Sequence, residues 1–292
     1  MAVIGLDVGT AGCKATVVHE DGTVLASAYR PYSLSAPGPG MAELDPNVVW
    51  RSVCAVLAEA ARGQDVRAIA IASLGESFVC LDENDAVLAP ALLYSDVRGA
   101  DEAEEIKSAI PLEELFAITG MPLNPMYTLC KLLWARKHAD YLNRARRIML
   151  FGDYIGYMLT GEAAIDYSLA SRTLMFDVRG KRWADRILNR FDIDAGLLSS
   201  PVQSGTAVGR LRRSVAGELG IPPYVTLYAG AHDQVCAALG AGVLNAGDCV
   251  DGMGTSECIT AVLSEQPDVR RMLSNNFCLE PYAAGGYITL AF

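Results

Sequence analysis

The stretch Ile4-Gly5-Leu6-Asp7-Val8-Gly9-Thr10-Ala11-Gly12-Cys13-Lys14 constrains the fold more than any other. An apolar run leads into a tight turn that presents one carboxylate, one hydroxyl and one Lys beside Gly backbone. Glycines at 5, 9 and 12 permit close approaches that a side chain would block. Exposed N–H groups in such a turn cradle an anion, which suits a phosphate. Asp7 cannot bind a phosphate directly, since two anions repel, but it can hold a divalent cation through water that bridges to phosphate oxygens. The plain alternative is a Gly-rich strand and hairpin with Asp7 as a turn residue. On these residues alone both readings stand.

The 292 residues fit one large or two medium domains, and a hydrophobic content of 51% supplies a sizeable core. A formal net charge of −10 argues against nucleic-acid or anionic-membrane partners, which need clustered Lys and Arg. The Met1-Ala2-Val3-Ile4 start has no basic n-region, and no 18-residue apolar run occurs. A cytoplasmic location is therefore expected. The eight cysteines are scattered without a C-x-x-C pair and read as buried free thiols, and the three histidines show no zinc spacing.

Residues 3–8, 13–19 and 23–30 read as a three-stranded antiparallel meander, with Asp21-Gly22 as the second turn. Asp45-Pro46 supplies an N-cap and first-turn Pro for a helix carrying Val49, Val53, Val56, Leu57 and Ala60. Residues 66–73 form a buried strand, and Phe78–Leu81 pairs with Ala86–Leu88 as a hairpin. The pattern turns helical between 100 and 160. Further on, the apolar strand 225–230 leads through the polar turn Ala231-His232-Asp233-Gln234 into a helix, which puts Asp233 in reach of an N-cap role. Cys249-Val250-Asp251-Gly252-Met253-Gly254-Thr255-Ser256-Glu257 echoes the opening motif. Two Gly-Thr turns at strand ends suit two lobes gripping one polyphosphate; chance recurrence among 27 glycines is the alternative.

Gly5-Leu6-Asp7-Val8-Gly9-Thr10, Gly230-Ala231-His232-Asp233-Gln234 and Asp251-Gly252-Met253-Gly254-Thr255-Ser256 together resemble the FGGY carbohydrate kinases of the actin-like ATPase superfamily. Linking segments around Tyr94–Arg98, Lys131–Trp134 and Gly152–Glu162 extend the likeness over nearly the whole chain. The resemblance implies an α/β, ribonuclease-H-like fold, a mixed sheet flanked by helices in two lobes: residues 1–225 as a sugar-binding lobe, and residues 226–292 as the start of an ATP-binding lobe. It implies ATP and Mg2+ as cofactors and a sugar or polyol as acceptor. Asp233 becomes the general base. Asp7 positions hydrated Mg2+, and Gly9, Thr10, Lys14, Gly254 and Thr255 contact the nucleotide phosphates. Glu76 falls at the polyol-binding position, with Asp96 and Gln234 as further acceptor contacts, since carboxylates and amides pair well with neighbouring hydroxyls.

Three features depart from the family pattern. Xylulose kinases carry a Met-His pair where this chain has Gly75-Glu76, which argues against xylulose as the acceptor, and glycerol kinases keep the Glu but place Arg at the Gly75 position, which argues against glycerol as well. Ala11 also replaces a hydroxyl that many members have. The chain ends in an apolar, strand-like run, Tyr287–Phe292, where family members continue. A fragment is expected, whose exposed apolar surface favours association into a homo-oligomer. Two other readings stay open: a sugar-binding or regulatory module without catalysis, and another ATPase of the superfamily.

Overall fold

Strands β1 (Ala2–Val8), β2 (Gly12–His19) and β3 (Val24–Pro31) form the expected antiparallel meander. The computed structural model describes residues 1–253, 257–265 and 267–291. Gly22 turns the β2–β3 hairpin with a φ of 89°, and Asp21 Oδ1 accepts a hydrogen bond from the Thr23 amide. Along β1, Ala2, Ile4, Leu6 and Val8 are buried while Val3, Gly5 and Asp7 are exposed. A side-chain period of two therefore fixes Asp7 on the open face, paired in register with Lys14. Of the three glycines in the opening motif, Gly12 is sterically required: a Cβ there would meet Tyr29 Oη at 2.5 Å and the Arg30 carbonyl oxygen at 2.7 Å. Gly5 has open space around it.

Helix α1 (Pro46–Ala60) begins where Asp45 accepts a hydrogen bond from the Asn47 amide, and it buries Val49, Val53, Val56, Leu57 and Ala60. These side chains pack against the buried face of β1 and β2 in one apolar cluster. The chain then returns as β4 (Val66–Ser73), parallel to β1. Phe78–Leu81 forms the expected hairpin with residues 86–88, through the antiparallel bridge Leu81–Val87 and the Asp82 and Leu88 amides donating to Ala86 O and Cys80 O at 3.0 Å, and in addition pairs along its length with Arg147–Leu150. All four residues of Phe78–Leu81 are buried, so the strand takes its partner from within the core. Helix α2 (Phe151–Thr160) closes at Gly161, whose φ is 89°.

β5 (Ala207–Arg210) and β6 (Thr226–His232) complete a six-stranded mixed sheet in the order β5-β6-β4-β1-β2-β3, with β6 parallel to β4. Residues 226–292 thus open with a strand of the first sheet. Their own sheet is antiparallel and comprises β7 (Cys249–Met253), β8 (Glu257–Leu263), β9 (Cys278–Pro281) and β10 (Tyr287–Ala291), ordered β7-β8-β10-β9. It docks where the Leu279 amide donates to Gly120 O at 2.7 Å. Gly120 has a φ of 69°, and a Cβ on it would lie 2.2 Å from Leu279 O. All eight cysteines are free. No helix among the described residues is long and apolar enough to cross a membrane.

Two stability predictions follow from this packing. The β6–β4 register shifts between Tyr228 and Ala231, and a Cβ on Gly230 would fall 1.8 Å from Ile71 O. Gly230→Ala should therefore cost about 3 kcal/mol or more in urea denaturation, whereas Gly5→Ala should be neutral or stabilise by about 0.4–1 kcal/mol. Asp153, buried in α2 and bonded by Ser199 Oγ at 2.6 Å, has its carboxyl raised by burial from 3.8 to about 7. Between those values the folded protein holds a proton that the unfolded chain has released, so stability falls as pH rises through that window and levels off above it. Asp153→Asn should flatten this slope in denaturation curves measured across the same range.

Candidate functional site

The parallel strands end together. Val8, Ser73 and His232 lie side by side in the β1–β4–β6 register, so the residues that follow them emerge at one edge of the sheet. Carboxyl ends of parallel strands are the usual place for ligand clefts in open α/β sheets. A cavity of about 420 Å3 opens there, lined among others by Thr10, Glu76, Tyr94, Tyr127, Arg172, Asp233 and Gln234.

Helix α3 (Tyr167–Ser171) and helix α4 (Asp233–Gly240) flank this edge. β6 runs straight into α4, with no separate polar turn, and His232 rather than Asp233 takes the N-cap position without a side-chain cap bond. The Asp233 carboxylate is thereby left for the cavity, half-exposed, with His232 Nε2 at 3.3 Å from its Oδ1. Asp7, 226 positions earlier, stands close enough for their charges to couple: burial first, then Asp233, raise the Asp7 pKa, while Lys14 opposes them. Around Asp7, Gly9 N donates to Gly12 O at 3.0 Å and Tyr32 Oη donates to Gly9 O at 2.5 Å, which shapes the turn that carries Thr10.

Glu76 is buried and holds a left-handed φ of 59°, an uncommon conformation for a residue with a side chain and one that concentrates at functional sites. Thr128 Oγ1 anchors it by donating to its carbonyl at 2.6 Å. Its Oε1 accepts from Arg172 Nε at 2.5 Å and also from Nη2. Arg172, 1% exposed, lies over the Tyr127 ring at 5.1 Å and donates from Nη1 to Glu280 Oε1 at 3.1 Å. Gly75 makes room for this arrangement, because a Cβ there would lie 2.9 Å from Arg172 Cγ and 3.3 Å from His232 Cδ2. A side chain at position 75 would thus have to displace Arg172. Burial tends to raise the Glu280 carboxyl, but the charge of His232 and the charge and hydrogen bond of Arg172 outweigh it and hold it low.

The structure gathers Asp7, Thr10, Glu76, Asp233 and Gln234 around this edge, with Lys14 exposed opposite Asp7 on β2. Asp96 is elsewhere: its carboxylate accepts from the Ala42 amide at 2.7 Å and from Arg98 Nη2 at 2.6 Å, and it does not line the cavity. Gly254 and Thr255 lie outside the described residues, but Gly252 just before them adjoins Gln234, whose Oε1 would be 3.9 Å from a Cβ at 252. Arg172, Glu280 and the imidazole of His232 were not singled out by the sequence. A lone Glu in the apolar run Phe277-Cys278-Leu279-Glu280-Pro281 was the one available signal of a buried charge.

Residues 2–240 match the N-terminal domain of the FGGY family of carbohydrate kinases, and the chain belongs to that family. It is 31% identical over 258 residues to a xylulose kinase of Staphylococcus xylosus, covering 87% of this chain and 53% of the relative. It is 28% identical over 267 residues to a gluconokinase of Bacillus subtilis, covering 90% of this chain and 52% of the relative. The crystal structure of a xylulose kinase from Rhodospirillum rubrum superimposes with a TM-score of 0.93 at 28% identity, covering 99% of this chain and 60% of that one. The chain therefore spans about half the length of these curated relatives. Its fold is the ribonuclease-H-like, actin-like ATPase fold of these sugar kinases, with only part of the second lobe within these residues.

Arg172 is the cation for two buried carboxylates, and removing one member of such a cluster leaves charges without compensation. Arg172→Met should destabilise the protein by about 3–5 kcal/mol at pH 7. The loss should shrink as pH falls and Glu280, held low in the native protein, takes up a proton, as chemical denaturation at neutral and acidic pH would register.

Proposed function

We propose that the protein of which these residues form part transfers the γ-phosphoryl group of ATP to a hydroxyl of a sugar or polyol. The observation that carries this reading is Asp233 lining, with Thr10, Glu76 and Gln234, one cavity at the strand ends, its charge acting on Asp7 of β1. Asp233 is the general base. A sugar hydroxyl is a poor nucleophile at neutral pH, and a carboxylate within hydrogen-bond reach accepts its proton as the phosphoryl group moves. Most of the remaining acceleration comes from alignment and from neutralising charge on the phosphoryl oxygens.

Asp7, a carboxylate whose proton affinity is raised by burial and then by the charge of Asp233, is a donor suited to a divalent cation. No three acidic, His or Cys side chains converge on a metal-binding geometry among the described residues. Asp7 would hold Mg2+ largely through water, and the ion would supply positive charge to the nucleotide phosphates. Thr10 and Lys14 are assigned to the phosphates on the side of the first sheet. Gly254 and Thr255 are assigned to them from the second.

Glu76, Gln234, Asn124 and Asn276 line the cavity with groups that share paired hydrogen bonds with adjacent hydroxyls. Arg172 is already matched by Glu76 and Glu280. That balance favours a neutral ketose or polyol over a sugar acid, whose carboxylate needs a cation of its own. A thermal-shift screen of pentoses, ketoses, deoxysugars and polyols should find a neutral acceptor that raises Tm. With that acceptor and ATP, Asp233→Asn should lower turnover by about 10²-fold or more, while acceptor affinity stays within about twofold. Undiminished turnover would remove Asp233 from the role of base.

A further inference from the structure

Residues 94–98 and 131–134 stood out in the sequence, yet the phosphoryl transfer just described uses neither. The structure ties them together. Lys131 is fully buried, and its Nζ donates to Asp96 O at 2.9 Å, so the ammonium meets a backbone carbonyl rather than a carboxylate. Asp96 closes a turn around Tyr94: its amide donates to Leu93 O at 3.0 Å, and the Leu93 amide donates to Ala42 O at 3.0 Å. Tyr94, on that turn, is half-exposed and lines the cavity. The helix carrying Lys131, Thr128–His138, reaches two further walls from its first turn. Thr128, three residues before Lys131 and so on the same face, donates from Oγ1 to Glu76 O at 2.6 Å. The first amides of a helix have no partner within it, and here the Leu129 amide donates to Thr173 O, next to Arg172, at 3.0 Å. Glu76, Tyr94 and Arg172 all line the cavity, and all three are tethered to one helical turn.

We propose that Thr128 and Lys131 are positioning residues for the acceptor, fixing Glu76 and Tyr94 relative to each other across the cavity. This rests on the reading of that cavity as the acceptor site of a sugar or polyol kinase. Packing alone does not account for Lys131. Taking an ammonium out of water is costly, and an apolar side chain of like length would fill the same space without that cost. Burial lowers the Lys131 pKa to about 8 despite the nearby charges of Asp96 and Glu76, so the cation is only partly compensated. A bond to a main-chain carbonyl locates the turn itself, where a bond to a carboxylate would locate only a side chain. The carboxylate of Asp96 secures the turn from the other side: it accepts from the Ala42 amide at 2.7 Å and from Arg98, which also pairs with Glu43 at 2.8 Å. Asp96 thus acts on the acceptor through Tyr94 and not by contact. Thr128 does the corresponding work at Glu76, whose φ of 59° a residue with a side chain seldom adopts unless its surroundings hold it there.

The test uses the screened acceptor and the full-length kinase that contains these residues, comparing the unmodified protein with Lys131→Met, Thr128→Val and a control, Arg136→Gln. Met fills the space of Lys without its ammonium, and Val that of Thr without its hydroxyl. Arg136 lies on the same helix but bonds Phe191 O and Asp192 O, and it does not line the cavity. In Lys131→Met and in Thr128→Val, acceptor Kd by calorimetry and acceptor KM should each rise by about tenfold or more, with ATP KM within about twofold. Arg136→Gln should keep the acceptor Kd and both KM values within about twofold, whatever its effect on Tm. An acceptor Kd within about twofold of the unmodified protein in either cavity variant would overturn the proposal and leave Asp233 as the base. An equal rise in Arg136→Gln would also overturn it, because any loosening of the helix would then suffice. Should one cavity variant fail to fold, the other decides. A screen in which no sugar or polyol binds would remove the kinase reading and the proposal with it.

Discussion

Everything at the site depends on the parallel pairing of β1, β4 and β6. Three strands that run the same way and stay in register must release their chains at the same edge. The residues after Val8, Ser73 and His232 are therefore neighbours, although more than 150 positions separate the last two. Gly230 is where this constraint is tightest, because β6 approaches Ile71 O too closely for any side chain. The meander adds direction: alternation along β1 sends its apolar residues into the core and Asp7 to the open face.

Behind that edge, the molecule buries an ionic chain where an apolar core would be cheaper to build. Taking carboxylates and a guanidinium out of water costs several kcal/mol per ion, and mutual attraction offsets this only with good geometry and further hydrogen bonds. Arg172 meets both conditions: it bonds Glu76, bonds Glu280 and covers the Tyr127 ring. The return is in placement more than stability. Glu76 comes from the turn after β4 and Glu280 from β9 of the second sheet, and one cation fixes both relative to the cavity. The room it needs is supplied by the missing side chain at Gly75.

Much of the architecture was readable from local chemistry. Asp45-Pro46 began α1 as its cap required, Asp21-Gly22 made its hairpin, and Gly161 and Gly220 ended their helices in the left-handed conformation. The gaps arose where a nonlocal partner joined or displaced a local one. Phe78–Leu81 took the remote Arg147–Leu150 as a longer partner beside its expected hairpin, and β6 absorbed a stretch that polarity marked as a turn. Asp96 looked like an acceptor ligand until Arg98 and the Ala42 amide were seen to occupy it.

The sequence by itself determined the family and the positions of Asp7, Thr10, Glu76, Asp233 and Gln234, because Gly-bearing turns, strand alternation and motif order are properties of contiguous residues. Only the tertiary structure decided that Asp7 and Asp233 share one electrostatic environment, that Arg172 fills the space beside Gly75, and that Glu280 reaches His232. Those are relations between residues remote along the chain. Which carboxylate meets which cation depends on strand register and sheet docking, and no local spacing encodes either one.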